Sequence, residues 1–588
     1  MNLHFVKATL SPVWNLFVSK DIPDEAPASV TSMIDSYTLP SGEVLSPVKL
    51  SLEGEHVDFH KALGHSVPVM TCGLMVGVIT AEEDGTVIYG AGADWWWTCY
   101  VNGEKVFGRP RDLQNGNVRS TFMKTDWIFP IKVHKGENIV AFHLISGSCW
   151  SLGTGLIPID GELANTIVAD DGCIGLPSGE TGLRLICNTT RNPLSYKVGE
   201  DMEFLFELKD PRAVSSGRLL LLVWNKRGDD GCSASGITPI SLEKPVSVHV
   251  SATRPGFVHI SAFITPILCE PQSDPLLQFE GGAGADIDKL APAASRPDDF
   301  DAYWAAQRAR LDAVPLKPEV EQYVGCVFPD GVAIPPSLDI FKVKVPCAGP
   351  NPVTGLLAVP KEKGKYPVRV IFDGYSKDPK RSHRLMTPGM ITFHVNAHGY
   401  DLFRAQPYYD EFFRPFEKNY PSYGLAPEEN KDPDTAYFNG MALRVMRSFD
   451  FVKTLPEWNG RDLIAEGGSQ GGLQSVWAAS LVEGLTRCET SITWCSNIAG
   501  AQLDGRLPGW HPEYVRGLDY YDTVFHASRI PESCFVDFER IGLGDYTCPP
   551  SGVTMVYNAI RGRKRAAYYQ NSTHMYVPPE PAITRVHA

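Results

Sequence analysis

The sextet Gly467-Gly468-Ser469-Gln470-Gly471-Gly472 leaves this chain few ways to fold around it. It follows the short apolar run Leu463-Ile464-Ala465 and precedes Leu473, Val476, Trp477 and Leu481, which recur at helical spacing. A strand that turns straight into a helix around a serine is the nucleophile elbow. The turn is so tight that side chains two before and two after the serine would collide, which demands Gly467 and Gly471. The helix N-terminus then faces the serine, where its amides can stabilise negative charge. The surroundings agree: Val368–Phe372 reads as a strand, and Met441–Val452 as a helix with Leu443, Met446, Phe449 and Val452 on one side. Asp298 or Asp299 is placed to cap a helix bearing Phe300, Tyr303, Trp304 and Leu311. Strands alternating with helices predict a mainly parallel sheet from residue 297 to 588.

An alkyl serine attacks only when a histidine removes its proton and a carboxylate orients that histidine. Behind an elbow the chain order is serine, acid, histidine. Asp545, in Ile541-Gly542-Leu543-Gly544-Asp545, follows an apolar stretch and precedes prolines expected to end a strand; it is the candidate acid. His574 follows the strand-like Ala566 to Tyr569 and is the candidate base. Asp519, Asp522 and His526 compete with them, but their spacing suits a helix packed on the sheet. For the oxyanion, the candidates are the backbone amides of Gln470 and of Tyr375, the latter in the loop Asp373-Gly374-Tyr375-Ser376 after an earlier strand.

The first 270 residues have a different grammar, short β-rich runs broken by Gly, Pro, Asn and Asp. Residues 1–165 are predicted to form a jelly-roll-like β domain and 166–270 an immunoglobulin-like β-sandwich. The Gly/Ala/Pro-rich stretch 271–296 reads as a linker. Trp95 to Val101 and Glu104 to Phe107 flank Asn102-Gly103, the dipeptide suited to a type I′ hairpin turn. In that strand Trp95 and Trp97 share one face, a candidate for sugar contact. His56 with His60, and His394 with His398, have the i, i+4 spacing of helical metal ligands, but no third ligand accompanies them and no metal is expected. A formal net charge of −14 argues against nucleic acid or an anionic membrane as partner. Thirteen scattered cysteines without a C-x-x-C pair suggest free thiols. With no export signal and no long apolar run recognised, a cytoplasmic location is expected.

Taken together, Gly468-Ser469-Gln470-Gly471-Gly472, Gly542-Leu543-Gly544-Asp545 with Cys548-Pro549-Pro550-Ser551, and His574 resemble carbohydrate esterase family seven, the acetyl xylan esterases and cephalosporin C deacetylases. The resemblance begins near Pro297-Asp298-Asp299-Phe300-Asp301 and Trp304. It implies an α/β-hydrolase that deacetylates sugars such as xylo-oligosaccharides, with Ser469, Asp545 and His574 as triad, Tyr375 and Gln470 as oxyanion donors, and no cofactor. It also implies a homo-oligomer, which the β domains would tend to obstruct. The chain departs from that pattern at Arg404-Ala405-Gln406, where Arg-Gly-Gln is usual, and at Met575, where Glu follows the histidine. Gly92-Ala93-Asp94-Trp95 with Tyr100-Val101-Asn102-Gly103 is similar to the jelly-roll modules appended to glycoside hydrolases. Two other functions fit these residues: a serine peptidase of prolyl-peptidase type, and a carbohydrate-binding protein whose hydrolase domain is inactive.

Overall fold

The computed structural model describes residues 4–587 apart from 53–55, 66, 69, 94–95, 110–123, 126, 147–149, 159–183, 210–219, 266–277, 330, 378–386, 388 and 418–421. Trp95, the expected domain boundary near residue 165 and the start of the linker at 271 lie outside the described residues.

Two sheets face each other in the N-terminal region. One carries Cys72–Ala81 flanked by Val13–Ser19 and Gly136–Ile145, and the other carries Gly85–Ala93 between Trp127–Val133 and Ser151–Leu156. Trp14, Met75, Trp97 and Phe142 from the first meet Tyr89, Phe129 and Leu152 from the second. Asn102 (φ +51°) and Gly103 (φ +83°) both turn left-handed, as the type I′ hairpin requires. The expectation of a sugar-contacting Trp97 fails here. Trp97 is 1% exposed and its ring lies among Phe107, Phe129 and Phe142, because its side chain is on the face of the strand that packs against the second sheet.

A second sandwich pairs the sheet Arg184–Thr189, Met202–Lys209 and Val246–Val250 with the sheet Ala234–Ile240, Leu220–Gly228, Gly256–Thr265 and Gln278–Ala285. Its last strand corrects the linker reading. Gln278–Ala285 pairs antiparallel along Gly256–Thr265, with Phe279 in the core. The glycines that suggest flexibility are there for close approach: a Cβ on Gly282 would fall 2.1 Å from the carbonyl oxygen of Val258.

The C-terminal domain is built on a ten-stranded sheet. Ile391–Val395, Tyr366–Phe372, Trp458–Gly468, Arg487–Ser491, Phe535–Gly542 and Lys564–Tyr569 run parallel in that spatial order, with antiparallel strands at both ends. Val368, Val370, Ala465, Cys488, Val536 and Phe538 face a helical layer that includes Tyr437–Val452 and Gln470–Leu481. Alternate residues on the other face form ion pairs: Arg369 with Glu466 (2.9 Å) and Glu489 (3.2 Å), then Arg487 and Arg565 with Asp537 (3.2 and 2.8 Å). No helix among the described residues is long and apolar enough to cross a membrane.

Candidate active site

Ser469 stands between the strand Trp458–Gly468 and the helix Gln470–Leu481 with φ +57° and ψ −120°, a conformation costly for any residue but glycine. The glycines around it make the turn possible. A Cβ on Gly467 would sit 2.4 Å from the carbonyl carbon of Gly471, and one on Gly471 would sit 2.2 Å from the carbonyl oxygen of Phe372. The Ser469 amide donates to Ser491 O (2.9 Å), and its carbonyl accepts from Trp494 N (3.2 Å), so the neighbouring strand holds the strained residue from both sides.

Asp545 lies past the end of the strand Phe535–Gly542 and is fully buried. The prolines after it open a helix, with Pro550 in its first turn, where a missing N–H costs nothing; they do not terminate the strand. One carboxylate oxygen accepts from the amides of Thr547 (3.0 Å) and Cys548 (2.9 Å), and the other lies 3.0 Å from Nδ1 of His574. His574 is 20% exposed, and its carbonyl accepts from Nη2 of Arg540 (3.0 Å). The loops carrying the two residues are joined by Gly544 N to Ser572 O (3.0 Å) and Leu543 N to Tyr569 O (2.9 Å). The sequence brings acid and base together as expected, whereas the rival groups are used elsewhere. Asp522 caps the helix Thr523–Ala527, accepting from Val524, Asn497 and Ile498 amides. His526 is buried between Ser480 Oγ (2.6 Å) and Tyr520 O (3.0 Å), and burial pulls its pKa down to about 3.

The loop of Tyr375 runs beside the serine: a Cβ on Gly374 would lie 3.9 Å from Cβ of Ser469. A network that sequence reasoning did not anticipate holds this loop. Tyr423 OH donates to Gln470 Oε1 (2.9 Å) and accepts from Ser376 N (3.2 Å), so one buried phenol joins the candidate oxyanion residue Gln470 to the residue after Tyr375. The Tyr375 hydroxyl donates to Tyr423 O (2.8 Å), and the two rings stack at 4.0 Å. His398 closes the network by hydrogen-bonding Ser376 O through Nε2 (2.9 Å), and burial lowers its pKa to about 3, so it is neutral near pH 7. His394 pairs with Asp373 (2.8 Å).

Neither histidine pair lies on a single helix. His394 ends in the strand Ile391–Val395 and His398 in the following loop, while His56 belongs to a strand and His60 to the helix Phe59–Leu63. Arg404 pairs with Asp401 (2.9 Å) and Gln406 opens the helix Gln406–Glu417, so that departure from the pattern is spent locally. Met575 is 89% exposed. Among the described residues, Asp545, Cys548 and His574 bring possible ligand atoms within 4.8 Å of one another. Burial pushes the Cys548 thiol well up, which disfavours the thiolate a metal prefers.

A strained serine on a strand–helix turn, with the order serine, acid, histidine along a parallel sheet, defines an α/β-hydrolase. Residues 285–500 match the family model described as acetyl xylan esterase (AXE1). The acetyl esterase Axe7A of Xylanibacter ruminicola is 27% identical over 332 residues, 53% of this chain and 69% of that protein. Among solved structures, the acetyl xylan esterase from Paenibacillus sp. R4 aligns with a TM-score of 0.41 at 23% identity, covering 50% of this chain and 94% of that one. Acetyl xylan esterase 1 from Thermoanaerobacterium sp. JW/SL YS485 aligns with a TM-score of 0.41 at 19% identity, covering 50% and 93%. The chain is an esterase, and its C-terminal half resembles the acetyl xylan esterases.

Proposed function

We propose that the protein is a serine esterase that removes O-acetyl groups from xylo-oligosaccharides or related acetylated sugars. The observation that carries this reading is the buried Asp545 carboxylate 3.0 Å from Nδ1 of His574, in a chain whose Ser469 is held at φ +57° on the elbow. With Nδ1 bonded to the acid, Nε2 is free to act as base. Ser469 Oγ attacks the acetyl carbonyl while His574 Nε2 takes its proton. The tetrahedral oxyanion is met by the amides of Gln470 and Tyr375. Collapse expels the sugar hydroxyl, which leaves with the proton from His574, and an acetyl group stays on Ser469. Water, deprotonated by His574, repeats the attack and releases acetate. A sugar leaving group also fits the aromatic residues nearby. Trp510 bonds through its amide to Thr547 O (3.0 Å) beside the acid and meets the Tyr375 ring edge-on at 4.7 Å.

Acetate release from acetylated xylo-oligosaccharides, compared between wild type and Ser469→Ala, tests this, with p-nitrophenyl acetate and a proline-containing peptide amide alongside. Release by the wild type only is expected, with the variant down by at least ~10³-fold. Cleavage of the peptide but neither ester would transfer the assignment to a peptidase. Sugar affinity without any turnover would leave a binding protein.

A further inference from the structure

The second sandwich touches both loops that carry the candidate acid and base. The side-chain amide of Gln570 bonds the backbone of Gly282 twice, accepting from its N–H (3.0 Å) and donating to its carbonyl (2.6 Å). Next to it, Asn571 accepts from the amide of Glu280 (3.0 Å) while held at φ +50°, a left-handed conformation that asparagine tolerates better than most residues. On the acid side, Gly544 approaches so closely that a Cβ would fall 2.2 Å from the carbonyl oxygen of Glu280. The ring of His259, itself bonded to Glu280 (3.2 Å), lies 4.2 Å from that of Tyr546. Strand Gln278–Ala285 thus sits directly behind Asp545 and His574, and its contacts are hydrogen bonds and backbone approaches, which fix position far more sharply than apolar contact does.

We propose that the second sandwich is part of the catalytic apparatus, with Gln570 as the positioning residue through which strand Gln278–Ala285 sets His574 against Asp545. This rests on the triad reading given above. Gln570 precedes His574 by four residues, and between them only Ser572 is tied to the acid loop. Losing the pair of hydrogen bonds to Gly282 would let the histidine loop drift while the elbow and the oxyanion loop stay in place.

The test uses the full-length chain with Gln570→Ala and Gln570→Met, the second keeping the side chain's bulk without its amide. Turnover of p-nitrophenyl acetate is divided by the number of serines that a fluorophosphonate labels at completion, so that unfolded molecules do not count. Both variants are expected to lose about 10–30-fold in kcat per labelled site with KM changed less than about threefold. Wild-type kcat per labelled site in Gln570→Met, or a loss carried by KM instead of kcat in both variants, overturns the proposal. Failure of the wild type to hydrolyse esters or to label would instead overturn the triad reading.

Discussion

The second sandwich meets the first mainly through Leu221, Val223 and Phe263 packed on Ile88, Ile128 and Ile157, with one buried hydrogen bond from Thr125 to Asn225, and meets the hydrolase domain through Phe257, which enters that domain's core, and through glycine-tight backbone contacts and ion pairs. Besides the Gln570 and Asn571 bonds, Arg254 binds Asp504 (2.9 Å), and Asp229 is enclosed at the junction. Burial raises the Asp229 carboxyl, while the Phe257 amide (2.9 Å) and Arg506 (3.7 Å) act against that rise. Apolar contact scales with area and tolerates small displacements; backbone hydrogen bonds across a gap with no room for a methyl group do not. The two interfaces therefore teach different things about the domains they join. One keeps a module attached, and the other has a geometry that matters to chemistry.

Gly544→Val breaks the second interface most severely. Its Cβ would meet the carbonyl oxygen and carbon of Glu280 at 2.2 and 2.5 Å, both backbone atoms that cannot swing away. The acid loop must move, and a shift of about 1 Å at a catalytic group is worth about 10²-fold. A fall in kcat of at least that size is expected, with serine labelling retained, measured as p-nitrophenyl acetate turnover per labelled site. Retention of more than a tenth of wild-type turnover would mean the loop can yield without harm.

Tyr423→Phe tests whether the opposite wall of the site is held as firmly as the wall the sandwich supports. It removes the hydroxyl shared by Gln470 Oε1 and Ser376 N, so the buried Gln470 side chain loses that donor. An unpaired buried polar group costs about 1–3 kcal/mol. If part of that falls on the oxyanion, kcat drops about tenfold with KM little changed, a smaller effect than Gly544→Val. Steady-state kinetics on acetylated sugar decides; a loss confined to KM would place Tyr423 in substrate binding instead.

These two positions also mark how far the sequence could be read. The turn at Ser469 and the pairing of Asp545 with His574 were legible because an elbow has steric demands that only glycines meet, and because the proposed order of serine, acid and histidine follows the order of parallel strands. The strand before the elbow was legible as the apolar run Leu463-Ile464-Ala465, and the structure adds that Leu463 and Ala465 face the core while Glu466 lies on the ion-paired face. Tyr423 carried no local signal, since its partners lie 47 residues away on either side. The strand Gln278–Ala285 was misread because GGAGA looks identical whether glycine serves flexibility or crowding, and only the neighbour at 2.1 Å distinguishes them. Trp97 failed for a related reason: alternation assigns two faces to a strand but does not say which is inside.

Acid acts on the hydrolase domain through its buried titratable groups. His526 is fully enclosed near Phe300, Trp304 and Trp477, and burial lowers its folded pKa from the ordinary 6.5 to about 3. Between those values the unfolded chain binds the proton and the folded one does not. The stability this histidine permits is therefore full above about 6.5 and is lost as pH falls toward about 3, worth roughly 3–5 kcal/mol over the whole window. Asp522, raised by burial to about 6, works in the opposite sense, its contribution declining as pH rises from about 4 to about 6. Comparing one variant with wild type isolates the histidine. The stability gap between wild type and His526→Gln, from urea unfolding, should narrow steadily from pH 7 to pH 4, and a constant gap would mean that His526 does not titrate on unfolding.

The smallest expected effect on turnover belongs to the apolar interface. Leu221 is 3% exposed against Ile88 and its neighbours, so Leu221→Ala removes buried methyl groups and leaves a cavity, at a cost of about 2–4 kcal/mol if the neighbours do not close in. No hydrogen bond leads from this side chain to Gln570, Asn571 or Gly544, and apolar neighbours can resettle without moving the far sheet edge. Turnover of p-nitrophenyl acetate is therefore expected to stay within about twofold of wild type while the urea midpoint of the sandwich region falls. If turnover falls in step with stability, the two interfaces are coupled through the strand Leu220–Gly228, which runs from Leu221 to the turn bearing Asp229 and so toward the acid loop. In that case the apolar contact too would be holding the site in place, and the difference between the interfaces would be one of degree.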